Sequence, residues 1–255
     1  KVSASNSDFD FVEYGPNAYP SLLYNAMVNP LVGLSMQGVI WYQGENNTNR
    51  AKEYYHLFPA MINDWRKKWG KDFPFYWVQL ANYMDVVEVP SESLWAQVRE
   101  AQTQTLSLSH TGQAVIIDIG EAKDIHPKNK QEVGRRLALH ALHNDYGFSD
   151  VVCESPMPKT VRRVQDKIVV QFDNVADGLI VKNKYGYLMS FAVAGNDGVY
   201  KWVQAKVAGK DRVVLSCPDV IDPVSVRYAW GDNPDDANLY NSVGLPATPF
   251  EIKIE

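Results

Sequence analysis

Two apolar rhythms alternate along the first half of the chain. An unbroken apolar run at 38–42 reads as a short buried strand, and it gives way to a helical stripe over 50–69. In that stripe Tyr54, Phe58, Met61, Trp65 and Trp69 recur at steps of four, three, four and four, and Gly70 stands where a helix ends. Pro59 inside the stripe predicts a kink or a break. The cycle repeats with a strand at 75–80 and a helix at 91–106, which carries Leu94, Val98, Ala101 and Thr105 on one face behind Ser91 as N-cap. It repeats again with a strand at 113–119 and a helix opened by Pro127 and running to Tyr146, with Gly147 beyond it. An earlier helix is predicted at 19–28, stopped by Pro30, and residues 1–16 read as polar and irregular.

Strand and helix in alternation predict a parallel sheet with helices on both faces. From about residue 150 the pattern changes to short runs with turn signals between them, at 168–172, 179–181, 191–194, 200–207, 212–216, 224–230 and 250–254. Asn196-Asp197-Gly198 has the residue types of a hairpin turn. The expected fold class is therefore α/β, a doubly wound parallel sheet over 1–149 followed by an antiparallel β-rich domain over 150–255. Three strands are few for a doubly wound sheet, and the α/β part reads as incomplete.

In open α/β sheets the working groups gather at the carboxyl ends of the strands. That rule collects Gln43, Glu45 and Asn47 after the first strand, Asn82 after the second, and the stretch from Asp118 to His126 after the third. Gln43 has an amide donor suited to a developing oxyanion, and Glu45 is able to hold a cation or orient a neighbour. Alternatively, this stretch is a strand end followed by a polar turn that caps the next helix. His126, on a loop before a helix, is placed to act as general base, with Asp124 or another rim carboxylate fixing its tautomer. The same position equally suits a capping or surface histidine. His140 shares a helical face with Val133, Leu137 and Ala141 and reads as a core residue.

Composition narrows the function classes. A net charge of −5 argues against a general nucleic-acid binder, and no apolar run approaches the roughly 18 residues of a membrane span. Cys153 and Cys217 lack metal-ligand spacing and read as two buried thiols. The seven tryptophans and 14 tyrosines suit a carbohydrate ligand as well as a large core.

Three stretches in order resemble one family. They are Gly38 through Glu45 with Asn47; Asp124-Ile125-His126-Pro127-Lys128-Asn129-Lys130-Gln131-Glu132-Val133-Gly134; and Arg227-Tyr228-Ala229-Trp230 with Asn238-Leu239-Tyr240-Asn241 and Gly244-Leu245-Pro246-Ala247. Together they are similar to the sialate O-acetylesterase group of the SGNH/GDSL hydrolase superfamily. The resemblance implies a serine esterase acting on an acetylated sugar without metal or organic cofactor, in an extracytoplasmic setting. It implies His126 as base, a carboxylate behind it, Gln43 as oxyanion donor, and Glu45 and Asn47 organising the loop or touching the sugar. Two departures stand out. Residue 123 is Lys where many superfamily members carry the triad acid, leaving Asp124, Asp118, Glu121 or a residue outside the chain for that role. The early Gly-Gln-Ser-Asn-type block that carries the nucleophile is missing, so the serine is expected upstream. A xylan or other plant-polysaccharide acetylesterase, and a non-catalytic carbohydrate-binding module of the same fold, are the alternative readings.

Overall fold

The computed structural model describes residues 19–254; the irregular stretch expected at 1–16 lies outside them. Three parallel strands, β1 (Val39–Trp41), β2 (Phe75–Val78) and β3 (Thr111–Ala114), form one sheet in the order β1-β2-β3. Helix α1 (Ala51–Trp69) joins the first pair and α2 (Leu94–Gln104) the second, while α3 (Lys130–Asn144) follows the sheet. Side chains alternate across a strand, and β2 uses both faces. Phe75 and Trp77 pack with Tyr54, Phe58 and Ile62 of α1 and Val98 of α2. Tyr76 and Val78 pack with Val133 and Leu137 of α3. Helices therefore cover both faces, as the alternation of patterns predicted.

The first strand departs from expectation. It is three residues long, lies at the sheet edge, and leaves Ile40 71% exposed instead of buried on both faces. Before it, the helix predicted at 19–28 is a π-helical turn at Tyr24–Val28 and a 3-10 turn at Asn29–Leu31, with no buried residue in either. Most helical stability comes from packing an apolar face, and here Leu22, Leu23, Met27 and Leu31 all face outward. α1 runs unbroken through Pro59, whose ring lies on a part-exposed side, and it closes at Gly70 in the left-handed conformation. The α2 cap is Ser93, not Ser91: its Oγ accepts from the Ala96 amide at 2.9 Å. Asn129 caps α3 in the same way, accepting from the Glu132 amide at 3.2 Å, so that helix starts three residues after Pro127.

β3 ends at Ala114, earlier than the apolar run suggested, because the chain beyond it changes partners. Val115 and Ile117 leave the parallel sheet and join the core of the β-rich half, beside Phe172, Phe191 and Tyr228. That half holds β4 (Met157–Val164), β5 (Lys167–Asp173), β6 (Leu179–Val181), β7 (Phe191–Ala194), β8 (Tyr200–Trp202), β9 (Gln204–Ala208), β10 (Arg212–Ser216), β11 (Ser225–Tyr228), β12 (Leu239–Asn241) and β13 (Phe250–Lys253). They form antiparallel sheets ordered β4-β5-β10-β9 and β13-β11-β7-β8, with β12 and β6 as a separate pair. The predicted run at 200–207 is two strands in different sheets, divided at Val203. β7 and β8 are antiparallel across the Asn196-Asp197-Gly198 turn. Among the described residues no helix is long and apolar enough to cross a membrane. Cys153 and Cys217 are free and buried.

Candidate active site

After β1 the chain turns at Gly44, where φ is +154° and a Cβ would crowd Leu80 and the Gln102 amide at 3.2 Å. Only glycine takes that conformation without strain. The turn leaves Gln43 held on several sides. Its Nε2 donates to Asn47 Oδ1 at 2.7 Å, and its Oε1 accepts from the Tyr54 hydroxyl at 3.2 Å. An amide nitrogen has two hydrogens, so one N–H of Gln43 has no acceptor among the described residues. Asn47 thus organises the loop, and Glu45 opens a 3-10 turn at Glu45–Arg50.

The second strand end is buried. Asn82, gathered with the working groups by the strand-end rule and so a candidate for substrate contact, is 5% exposed and has its amide occupied within the protein. Its Nδ2 donates to Asn233 Oδ1 at 3.0 Å, and its Oδ1 accepts from the Gly120 amide at 2.7 Å. Gly120 lies so close to Asn82 that a side chain there would collide with the Asn82 backbone. Asn82 therefore braces the loop that leads to His126, a structural use that the strand-end rule did not separate from ligand contact. Arg99, which sequence reasoning passed over, secures the same region. It is fully buried, and donates to the carbonyls of Leu80 (2.8 Å), Ala81 (2.7 Å), Gly231 (2.5 Å) and Asp232 (2.9 Å). Burial pulls its pKa down, opposed by the charge of Asp232.

The third loop carries His126, whose side chain is 86% exposed. Its three candidate carboxylate partners are distributed unequally. Asp118 is held by Arg136, with Nη1 at 2.6 Å and Nη2 at 2.9 Å, and accepts from the Tyr240 hydroxyl at 3.3 Å. Glu121 pairs with Lys128 at 3.0 Å. Asp124 sits beside the imidazole, 3.6 Å from Nδ1, and accepts from the His126 backbone amide at 2.9 Å. His140 is 2% exposed, bonds the Gln113 carbonyl at 3.0 Å and stacks on Tyr76, a core residue as its spacing indicated.

His126 shares one cavity with Tyr42, Glu45, Ile125 and Lys130. Glu45 from the first polar set and His126 from the third thus meet in one cavity, whose walls do not include Gln43, Asn47, Asn82 or Asp124. Tyr42 read as the last residue of a strand, yet its hydroxyl is buried without a partner among the described residues. Burial and the Glu45 charge push its pKa up to about 12, keeping it a neutral O–H. Lys130, at the start of α3, sits 4.5 Å above the Tyr42 ring. Among the described residues no group of three or more His, Cys, Asp or Glu side chains is placed to hold a metal ion.

Comparison with known proteins identifies a family. Residues 10–143 match the family model described as carbohydrate esterase, sialic acid-specific acetylesterase. The chain is 31% identical over 264 residues to the sialate O-acetylesterase of Homo sapiens, covering 92% of this chain and 49% of that protein. It is also 31% identical over 278 residues to that of Rattus norvegicus, covering 96% and 50%. The crystal structure of a carbohydrate acetylesterase from Xanthomonas citri superimposes with a TM-score of 0.87 at 45% identity, covering 92% of this chain and 55% of that one. The chain spans about half the length of the curated relatives it matches. With the match extending over more than half of its residues, the chain belongs to the sialic acid-specific acetylesterase family of carbohydrate esterases.

Proposed function

We propose that this chain carries the histidine half of a carbohydrate O-acetylesterase site, and that the nucleophilic serine comes from a segment outside these 255 residues. The reading rests on one observation above others: an exposed His126 with an adjacent Asp124 opens into a cavity whose lining, among the described residues, includes no serine. Among the described residues β1 is an edge strand, and Ile40 lies exposed on the face opposite Val39 and Trp41; both support a further segment packed against it. In this mechanism the serine hydroxyl attacks the acetyl carbonyl while His126 takes its proton. The free Gln43 N–H donates to the oxyanion, held in place by Tyr54 and Asn47. His126 then returns the proton to the departing sugar hydroxyl, and water releases acetate from the acyl-serine with His126 again as base. Asp124 steadies the imidazole throughout.

Sialate is the substrate that the family's description favours. A neutral acetylated polysaccharide such as xylan is the second reading, favoured by the 45% identical neighbour, whose description names carbohydrate without sialate. Two measurements test the proposal. The chain alone, treated with a serine-directed fluorophosphonate, is expected to remain unlabelled; a labelled serine would place the nucleophile inside it. In the full-length protein, His126→Ala is expected to lower acetate release by roughly 10²–10⁴-fold. Unchanged release would remove His126 from the mechanism, and release by neither protein would favour a non-catalytic binding module. Acetylated sialic acid and acetylated xylan, compared as substrates, separate the two sugar readings.

A further inference from the structure

The cavity that holds His126 measures about 290 Å³ and carries two opposite charges, Glu45 from the turn after β1 and Lys130 from the start of α3. They do not pair. Among the described residues no carboxylate oxygen lies within 4.0 Å of the Lys130 amine, and none of its three N–H groups has an acceptor. Every other basic side chain between residues 124 and 136 has a carboxylate beside it. His126 has Asp124, Lys128 has Glu121 at 3.0 Å, Arg135 has Glu132 at 2.7 Å, and Arg136 has Asp118 at 2.6 Å. Helix stability does not explain a lysine here either, since the dipole at a helix N-terminus disfavours a cation. What holds the ammonium is the Tyr42 ring, 4.5 Å from it, which attracts a cation to its face without using an N–H. The side chain is exposed, so those donors are within reach of a ligand.

A cation held in place without a counter-ion is matched by an anion. The acetyl ester is neutral before it reacts. The oxyanion that forms from it has Gln43 as donor in the proposed mechanism, and Gln43 is not in the wall of this cavity. The anion that suits Lys130 therefore belongs to the sugar. Glu45, half-buried in the same wall, repels a carboxylate and accepts from hydroxyls. The two charges together orient a sugar acid, its carboxylate toward Lys130 and its hydroxyls toward Glu45. A neutral sugar would satisfy Glu45 and leave Lys130 unmatched.

We infer that Lys130 determines the specificity of this site by taking the carboxylate of an acidic sugar, a sialic or a hexuronic acid, that bears the acetyl ester. The inference rests on the reading of the His126 cavity as an O-acetylesterase site. The carboxylate takes no part in bond breaking, so Lys130 holds ground state and transition state alike. Its loss then raises KM and leaves kcat in place.

The test uses the full-length protein and four substrates: O-acetylated N-acetylneuraminate, its carboxamide, O-acetylated methyl galacturonoside and O-acetylated methyl xyloside. The carboxamide keeps the shape of the acid and removes its charge. Lys130→Gln is expected to raise KM for at least one acid by roughly three- to tenfold at constant kcat, and for the carboxamide and the xyloside by no more than about twofold. The acid with the larger rise identifies which sugar acid the site takes. Lys130→Arg keeps the charge and is expected to restore most of the loss. The assignment is overturned if KM changes for neither acid, if acid and carboxamide lose equally, or if kcat falls instead. Should the wild type release acetate from none of the four, the esterase reading fails, and titration with N-acetylneuraminate, galacturonate and the carboxamide still decides the role of Lys130. Weaker binding of an acid alone to Lys130→Gln would uphold it, and equal binding of every ligand by both proteins would overturn it.

Discussion

Asp118 and Asp124 both precede His126 within eight residues, yet they face different tasks. Asp118 is 11% exposed and gripped by Arg136, itself 5% exposed; Asp124 is 41% exposed and has the imidazole beside it. Breaking a buried pair is costly, and removing the Asp118 charge leaves Arg136 with Glu132 as its one remaining carboxylate partner among the described residues. Asp118→Asn is therefore expected to lower stability by about 3 kcal/mol, seen as a melting temperature lower by roughly 6–12 °C. Asp124→Asn is expected to leave the melting temperature nearly unchanged while cutting the full-length enzyme's kcat by roughly 10²-fold or more. The reverse pairing of effects would assign the triad acid to Asp118. Gln43 gives a sharper readout of the oxyanion role. Gln43→Ala in the full-length enzyme is expected to reduce kcat by about 10²–10³-fold with little change in KM, because the bond it removes forms only as charge develops on the acetyl oxygen. An equal rise in KM at constant kcat would mean that Gln43 binds the ground state instead.

Among the elements, α3 joins the site to the rest of the fold and shows a pH dependence of its own. Glu132, in its first turn, is held at a pKa of about 2 by hydrogen bonds from Arg135 and then Arg136. A carboxyl whose folded pKa lies below its ordinary 4.5 contributes stability above pH 4.5, and loses that contribution as pH falls through about 2. Melting curves of wild type and Glu132→Gln are expected to differ at pH 7 and to converge between pH 4.5 and 2; a gap of constant size would mean that the carboxylate adds nothing. α1 was legible from sequence because its apolar stripe and its terminal Gly70 are both local signals, and α2 was legible to within a turn. β1 was misjudged since an apolar run has the same spelling whether or not something covers Ile40. β3 was placed late because Val115 and Ile117 are apolar for a different core, which periodicity does not encode. β4 went unseen behind Lys159, Arg162 and Arg163, all exposed on an edge strand. At the site, the strand-end rule pointed to the loops of Glu45 and His126, which meet in one cavity, but a buried brace such as Asn82 looks the same in sequence as a ligand contact.

At the scale of the whole molecule, the boundary near residue 150 divides two patterns of secondary structure, and the core of the β-rich half reaches across it. Val115 and Ile117 come from the α/β half and are 1% and 2% exposed within the β-rich core. Polar ties cross the same junction: Ser93 donates to Asp232 at 2.6 Å, Arg227 to Glu92 at 2.6 Å, and Arg99 to the Gly231 and Asp232 carbonyls. Separating the halves would strand a buried guanidinium on one side and open a hole in the apolar core of the other, each costing several kcal/mol. Net stabilities of only about 5–15 kcal/mol leave little room for that loss. The chain is therefore expected to unfold in a single calorimetric transition whose van't Hoff and calorimetric enthalpies agree. Ile117→Ala is expected to cost about 2–5 kcal/mol and to lower that one transition as a whole. Residues 150–255 expressed alone should give poorly dispersed methyl resonances, since the plug formed by Val115 and Ile117 is absent. Two resolved transitions, or a well-dispersed spectrum from the isolated β-rich half, would show that the junction is a contact between independent domains. A single transition would mean instead that the loop bearing His126 and the β-rich half belong to one cooperative unit, so that loosening either half disturbs both.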